Sequence, residues 1–360
     1  MSKGLEIGIV GLPNVGKSSL FNALTKNNVL VANYPFATIE PNIGVVNVPD
    51  KRLINLEKLY QADKVTHATI NFIDIAGLVA GASTGEGLGN QFLNHIRQTD
   101  TIIQVVRAFK DTNITHINDN HNPKDDIDII NTELVLADLQ SIEKQIPKIE
   151  KEIKSNPKLK VVLENANLIK SYLNNNEPLW QKSGIDYSIV KNFHLITTKP
   201  VIYLFNLDEN DLTNNELKLS LTNLVKPSPV LFLSAKLETE LTILENEEAS
   251  ELLKLYSQNE SGLEQLVKSA YQTLGLQSFL TAGKKEVRAW TIHQGSTAPE
   301  AAGVIHNDFQ RGFIAAEIID YFDLIKFGSY SAVKQAGKIR LEGKNYIMQE
   351  NDIVDFKFNV

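Results

Sequence analysis

Short apolar runs alternate with polar, glycine-punctuated segments over the first third of the chain and again after residue 200. Each run is five to seven residues long and is bounded by polar or turn-forming residues, which is typical of buried strands in a parallel sheet joined by helices. The strands predicted in this way are 6–10, 70–74, 101–106, 200–206 and 230–234, and the pattern at 261–274 favours a closing helix. These elements predict an α/β fold.

A second pattern interrupts this sheet. From about 132 to 175, apolar residues recur at spacings of three and four in two series, which is typical of amphipathic helices. Asn156 and Pro157 separate the two series and indicate a turn. We therefore predict two antiparallel helices packed as in a coiled coil, with a kink at Pro147 in the first. The α/β domain is then discontinuous.

The last segment has strands without long helices between them. Its apolar runs lie at 288–292, 313–317, 338–341 and 353–357. This pattern predicts a small domain of mixed α+β type. The expected domains are a first α/β part at 1–131, a helical hairpin at 132–194, a second α/β part at 195–277, and the C-terminal domain at 278–360.

Composition excludes several classes of protein. The chain of 360 residues contains no cysteine, which rules out disulfides and thiolate sites and fits a reducing cytoplasm. No apolar run is long enough to span a bilayer, and the N-terminus leads directly into the first predicted strand, so we expect neither a membrane segment nor a signal peptide. The net charge of −7 argues against a DNA-coating protein.

The sequence Gly-Leu-Pro-Asn-Val-Gly-Lys-Ser at 11–18 matches the phosphate-binding P-loop. It lies between a predicted strand and a predicted helix, so its backbone N–H groups and the helix N-terminus point at an anion. Lys17 can then reach the β- and γ-phosphates, and the Ser18 hydroxyl can hold Mg²⁺. The residues expected around the phosphates are Asn14, Val15, Gly16, Lys17, Ser18 and Ser19. The chain is predicted to bind a nucleoside triphosphate.

Two further motifs are expected to complete a magnesium site and a switch. Asp74 and Gly77 form a D-x-x-G string after a predicted strand, where the aspartate holds Mg²⁺ and the glycine N–H contacts the γ-phosphate in switch nucleotidases. Thr38 lies where a threonine of the first switch loop would complete the metal shell. Leu78 occupies the position of the water-orienting glutamine of Ras-like enzymes. Because leucine cannot hydrogen-bond water, we expect slow turnover or another catalytic group.

Base recognition is expected at the end of the strand 200–206. Guanine-specific relatives carry N-K-x-D there, whereas this chain reads Asn206-Leu207-Asp208-Glu209. The lysine is missing and glutamate replaces aspartate, which weakens the case for GTP. Asp208 could still read guanine through a one-residue shift, so both bases stay open from these residues. Ser234, Ala235 and Lys236, after the next strand, are expected to form a loop under the base and ribose.

Taken together, these motifs resemble the Obg-like ATPase family, also called YchF, a branch of the Obg-type translation-factor nucleotidases. The resemblance covers essentially the whole chain and is carried by the residues at 11–18, 33–42, 74–79, 85–90 and 206–209. It implies a C-terminal TGS domain of the β-grasp type, a preference for ATP, and association with ribosomes. It further implies that Asn206 and Leu207 contact adenine and that Asn14 coordinates K⁺ beside the phosphates.

The resemblance also implies a catalytic histidine in a loop after the strand 101–106. His116 is the better match, and His121 lies close enough to be an alternative. The expected function is a slow, Mg²⁺-dependent ATPase switch in which Lys17, Thr38 and His116 act on the γ-phosphate, with Glu209 near the base. Two alternatives remain: a GTPase of ribosome assembly in which Glu209 reads guanine, and a module that binds ATP with negligible turnover.

Overall fold

The computed structural model describes residues 5–26, 42–75, 88–110, 122–180 and 182–359, with the backbone alone described for 88–91. The chain divides into two compact units, which are considered separately. The first unit comprises Met1–Val46 and Asn71–Leu266, and the second comprises Asn47–Ile70 and Val267–Val360. No helix in the described ranges combines the length and the apolar character needed to cross a membrane.

The described residues form strands at Glu6–Gly11 (β1), Asn42–Asn47 (β2), Val65–Thr66 (β3), Thr69–Asp74 (β4), Thr101–Arg107 (β5), Val201–Asn206 (β6), Val230–Leu233 (β7), Leu276–Ala282 (β8), Val287–His293 (β9), Phe313–Asp320 (β10), Arg340–Glu342 (β11) and Asp352–Phe358 (β12). All five strands predicted for the α/β fold are present. The sequence reading missed β2, β3 and β8.

The helices lie at Lys17–Lys26 (α1), Lys51–Tyr60 (α2), Leu88–Gln98 (α3), Pro123–Ile153 (α4), Lys160–Asn174 (α5), Tyr187–Val190 (α6), Asn215–Val225 (α7), Ala235–Leu241 (α8), Asn246–Leu255 (α9), Gly262–Thr273 (α10), Ala298–Ile305 (α11), Asn307–Arg311 (α12), Tyr321–Phe327 (α13) and Tyr330–Gln335 (α14). Short 3₁₀ turns occur at Pro157–Leu159, Lys191–Phe193 and Glu209–Thr213.

The first unit is built on a six-stranded sheet of order β2-β4-β1-β5-β6-β7. Strand β1 pairs in parallel with both β4 and β5, and β6 pairs in parallel with β5 and β7. Every residue of β5 and β6 is buried, which explains why these strands read as continuous apolar runs. The carboxyl ends of neighbouring parallel strands lie at one edge of the sheet, the usual place for a ligand.

The helical hairpin is present, but its first helix begins earlier than the apolar spacing predicted. Asn122 caps α4 by accepting a hydrogen bond from the Lys124 N–H at 3.1 Å, and Pro123 occupies the first turn. These cap signals place the start nine residues before position 132. Helix α4 continues through Pro147, and the kink expected there stays a prediction. The two helices share an apolar core that includes Ile142, Ala166 and Ile169.

A buried carboxylate fixes the middle of α4 to the segment before β6. Asp138 is fully buried and accepts hydrogen bonds from the backbone N–H groups of Ile196 and Thr197 at 2.8 and 2.7 Å. The Thr197 hydroxyl donates a third bond at 2.7 Å. Burial raises the pKa of Asp138 to about 6, although these bonds lower it. This cluster ties the hairpin to the return of the chain into the sheet.

The second unit contains a mixed sheet of order β11-β10-β12-β8-β9-β3. Strands β10 and β12, and likewise β8 and β9, pair antiparallel, whereas β12 pairs in parallel with β8. Its core contains the aromatic side chains of Phe279, Phe313 and Phe356. A β-rich C-terminal domain is therefore confirmed.

The compact units do not follow the domain limits expected from the sequence. Residues 47–70, expected inside the first α/β part, belong to the second unit. Helix α2 packs against β9 and α13, and β3 extends the second sheet by pairing with β9. Leu53 and Leu56 of α2 are fully buried. Periodicity alone could not predict that 47–70 belongs to the second unit, because the apolar spacing of an amphipathic helix does not indicate which sheet the helix packs against.

Candidate nucleotide-binding site

The P-loop joins β1 to α1 at the carboxyl edge of the first sheet. Two of its residues have left-handed backbone conformations, Asn14 at φ 62° and Gly16 at φ 94°. A Cβ at Gly16 would overlap the side-chain nitrogen of Asn206, so this position requires glycine for space as well as for conformation. The turn thus brings the start of α1 beside the end of β6.

Lys17 forms an ion pair with Asp74, with Nζ contacting Oδ1. The lysine is buried and the aspartate, at the end of β4, is half-buried. The structure thereby brings together two residues that the sequence assigned to phosphate and to metal binding. Ser18 and Ser19 follow in the first turn of α1 and are exposed. The N–H groups in the first turn of a helix have no partner within the helix, so this exposed turn is a place where an anion can bind.

Asn206 connects the P-loop to the loop after β7. Its side-chain nitrogen donates a hydrogen bond to the Val15 carbonyl at 3.0 Å, and its side-chain oxygen accepts one from the Ala235 N–H at 2.9 Å. The side chain is only 4% exposed, so both bonds are shielded from water. Asn206 therefore links the P-loop to the loop that the sequence predicts to lie beside the base.

The remaining base-motif residues are engaged by the protein itself. Leu207 is 1% exposed and its N–H donates to the Leu233 carbonyl at 2.8 Å, so neither its side chain nor its N–H is available to adenine in this conformation. Asp208 accepts a hydrogen bond from the Lys110 N–H at 3.0 Å. Glu209 pairs with Lys236 at 2.9 Å. Burial is the largest single influence and raises the pKa of Glu209, but the hydrogen bond and charge of Lys236 and a backbone hydrogen bond together lower it by more, so the net pKa is lowered.

Several predicted residues cannot be placed. Thr38, Gly77 and His116 lie outside the described residues, as do Leu78 and His121. Ser234 is buried and caps α8, its hydroxyl accepting from the Leu237 N–H at 3.4 Å. The sequence placed Lys236 in the loop under the base, but its pairing with Glu209 was not predicted. Strands β6 and β7 are parallel neighbours, so the residues that follow them lie at the same edge of the sheet. The opposite charges of Glu209, after β6, and Lys236, after β7, were the available signal for their ion pair.

The donor set at this edge of the sheet fits Mg²⁺. Asp74, which contacts Lys17, and Ser18, which follows Lys17 in the chain, offer hard oxygen ligands. Among the described residues no cluster of three metal-binding side chains of the His, Cys, Asp or Glu type occurs. Mg²⁺ usually takes one or two protein carboxylates together with water and substrate phosphates, and Asp74 is a carboxylate of that kind.

Beneath the base loop lies a second buried carboxyl group. Glu238, in the first turn of α8, is 3% exposed and accepts a hydrogen bond from the Gly262 N–H at 2.6 Å. Burial raises the pKa of Glu238 to about 7, and the charge of Glu264 raises it further, against hydrogen bonds from Gly262 and Leu263 that lower it. Glu238 thus joins the helix that follows the base loop to the start of α10.

We expect this group to make stability depend on pH. The folded protein holds the Glu238 proton more tightly than the unfolded chain does, so the free energy of unfolding falls as pH rises from 4.5 to about 7. Glu238→Gln should remove that dependence. The difference in unfolding free energy between the variant and wild type should then change by at most about 3 kcal/mol between pH 4.5 and about 7. Urea unfolding at fixed pH measures it, with exposed Glu240→Gln as control. Parallel profiles for wild type and Glu238→Gln would refute the assignment.

Comparisons with known proteins agree with this geometry. A family model described as a 50S ribosome-binding GTPase matches residues 6–165, and a model named for the C-terminal region of YchF GTPases, described as a protein of unknown function, matches 276–359. The "Ribosome-binding ATPase YchF" of Bacillus subtilis is 46% identical, covering 99% of this chain and all of the relative. The protein of the same name from Haemophilus influenzae is 46% identical with the same coverage.

Two solved structures extend the likeness to three dimensions. The YchF GTPase of Schizosaccharomyces pombe aligns with a TM-score of 0.85 at 38% identity, covering 99% of this chain and 98% of that one. A GTP-binding protein from Pyrococcus horikoshii aligns with a TM-score of 0.62 at 20% identity, covering 99% of this chain and all of that one. The second likeness shows the fold alone.

Proposed function

This chain belongs to the YchF family, and we propose that it is a nucleotide-dependent switch that hydrolyses ATP, in preference to GTP, to ADP and phosphate. The observation that carries the proposal is the assembly of Lys17, Asp74 and Asn206 at one edge of a parallel sheet. Lys17 supplies the cation that binds the phosphates, Asp74 supplies the carboxylate that binds the metal, and Asn206 links the P-loop to the base loop. Relatives over the full chain length are named ATPases.

Nucleotide binding requires an exchange of partners at Lys17. Its ammonium group contacts Asp74, and the β- and γ-phosphates would draw it away. Asp74 is then available to hold Mg²⁺, directly or through water, together with Ser18 and, in this proposal, Thr38. When bound, Mg²⁺ neutralises charge on the phosphates. Asn14, at the turn of the P-loop, is the proposed contact of an additional K⁺.

Hydrolysis is proposed to proceed without a water-orienting glutamine. Leu78 stands at that position, so stabilisation of the transferring phosphoryl group falls to Lys17, to the N–H groups at the start of α1 and, separately, to the N–H of Gly77 in the switch. His116 is the proposed catalytic histidine. Such a site predicts slow turnover in isolation, which suits a switch whose two loops respond to the γ-phosphate.

The proposed partner is the ribosome, and the proposed location is the cytoplasm. Support comes from the relatives named ribosome-binding ATPases and from the family model described as a 50S ribosome-binding GTPase. A ribosome-dependent switch would bind in one nucleotide state and leave in the other.

The testing experiment is calorimetric titration of ATP and of GTP, side by side, with Mg²⁺ and K⁺ present. We expect ATP to bind at least about tenfold more tightly, which corresponds to about 1.4 kcal/mol. Equal or tighter binding of GTP would mean that Glu209 or Asp208 reads guanine and that the GTPase alternative is correct.

Turnover separates the switch from a module that keeps ATP as a structural ligand. Phosphate release should be slow alone and should rise when ribosomes are added. An ATPase rate that stays negligible with and without ribosomes would favour the structural-ligand alternative, even if ATP binds more tightly than GTP.

A further inference from the structure

The ion pair between Glu209 and Lys236 lies where the base of the nucleotide is expected. Glu209 begins the 3₁₀ turn after β6, and Lys236 follows Ala235, whose N–H is bound by Asn206. The Oε1 atom of Glu209 and the Nζ atom of Lys236 are 2.9 Å apart. The glutamate side chain is 16% exposed and the lysine 73% exposed. The carboxylate is thus held against the protein, and the ammonium lies toward solvent.

Both members of the pair carry their charge at neutral pH. The hydrogen bond with Glu209 is the largest cause that raises the pKa of Lys236, and the nearby charge of Glu240 adds to it. The net pKa of Glu209 is lowered, as described above. One carboxylate oxygen is therefore already occupied by a cation before any base enters. The neighbouring carboxylate, Asp208, is occupied by the Lys110 N–H.

Guanine and adenine present different edges to such a pair. Guanine offers two adjacent donors, N1–H and the 2-amino group, which match a free carboxylate. Adenine offers one donor, the 6-amino group, beside one acceptor. An oxygen that already accepts from an ammonium is a weaker acceptor for a second donor of guanine, and the ammonium places a donor beside the remaining oxygen. This pattern is complementary to adenine and mismatched to guanine.

We propose that Lys236 is a specificity-determining residue, which disfavours guanine by pairing with the Glu209 carboxylate that would otherwise read it. The inference rests on the proposed function, since it presumes that the base lies beside Glu209. It adds a residue outside the base motif to the determinants of nucleotide choice. Glu209 keeps a carboxylate at the last position of the base motif, and Lys236, 27 positions downstream, offsets its preference for guanine.

The experiment is competitive titration of ATP, GTP and ITP against the full chain and against Lys236→Met. In the variant the Glu209 carboxylate is released, so the ratio of ATP to GTP affinity should fall by about tenfold or more. GTP should gain more than ITP, because ITP lacks the 2-amino donor. Lys254→Met is the matched control, since Lys254 is an exposed lysine on α9 that makes no ion pair in the described part of the chain; it should leave the ratio unchanged.

Two further variants separate specificity from simple support of the loop. Lys236→Arg keeps a cation beside Glu209 and should retain the wild-type ratio. In Lys236→Met/Glu209→Gln the amide supplies both a donor and an acceptor, so ATP preference should return. A loop that is merely damaged by loss of Lys236 would not recover when a second residue is changed.

The outcomes are distinct. If wild type prefers ATP and Lys236→Met keeps the same ratio, the role of Lys236 is wrong while the proposed function stands. A Lys236→Met variant that weakens all three nucleotides equally, with no recovery in the double variant, also overturns it. If wild type binds GTP at least as tightly as ATP, both the inference and the proposed ATPase function fail.

Discussion

Replacement of Lys17 by alanine should abolish tight nucleotide binding. Lys17 is the buried cation at the start of α1, and it is the residue expected to contact the β- and γ-phosphates. We expect the affinity for ATP to fall by about a thousandfold, equivalent to about 4 kcal/mol. Calorimetry with Mg²⁺ present measures the loss directly.

The control is Lys26→Ala, which removes an exposed lysine from the last turn of the same helix. Its affinity should match wild type. Lys17→Ala also deprives Asp74 of its partner, so thermal unfolding of the nucleotide-free variant must be compared to show that the fold survives. A folded Lys17→Ala protein with wild-type affinity for ATP would contradict the P-loop assignment.

The second large effect is expected from Gly16→Ala. The methyl group would overlap the Asn206 side-chain nitrogen, and the left-handed conformation at Gly16 adds strain. Relief of the overlap requires Asn206 to move, which breaks its hydrogen bonds to Val15 and Ala235. We expect a loss of about 2–4 kcal/mol in unfolding free energy and about a hundredfold loss in ATP affinity. Urea unfolding and calorimetry measure the two losses.

Gly337→Ala provides a matched control for the backbone strain. Gly337 also has a positive φ, 65°, but a Cβ there meets no atom within 4 Å. It should cost only about 1 kcal/mol and leave nucleotide affinity unchanged. If Gly16→Ala costs no more than Gly337→Ala, the contact with Asn206 is not what requires glycine.

Prediction from sequence succeeded where local pattern and local chemistry coincide. Strands β5 and β6 are buried on both faces, so their apolar runs could not be mistaken for amphipathic elements. The P-loop signature fixed the position of Lys17, and the D-x-x-G string led to Asp74, its partner in the structure. Both follow from short segments whose geometry is set by their own residues.

Prediction failed where a residue depends on a partner remote in sequence. The ion pair of Lys236 with Glu209 arises because β6 and β7 are adjacent, and no motif contains both residues. The commitment of Asp208 to the Lys110 N–H has the same origin. Helix α4 was predicted to start too late for a different reason. Its start is marked by the cap residues Asn122 and Pro123, whereas the prediction relied on the apolar spacing, which begins later.

The exchange of residues 47–70 into the second unit has a consequence for how the chain can fold and be divided. The ribosome releases α2 and β3 early, yet the strand β9 that pairs with β3 is made more than 200 residues later. Leu53 and Leu56 therefore stay without their final packing until translation is almost complete. A fragment that ends before β8 would expose this helix, and a C-terminal fragment would lack an edge strand of its sheet. A fragment designed to contain the second unit alone should therefore include residues 47–70, and one designed to contain the first unit alone should omit them.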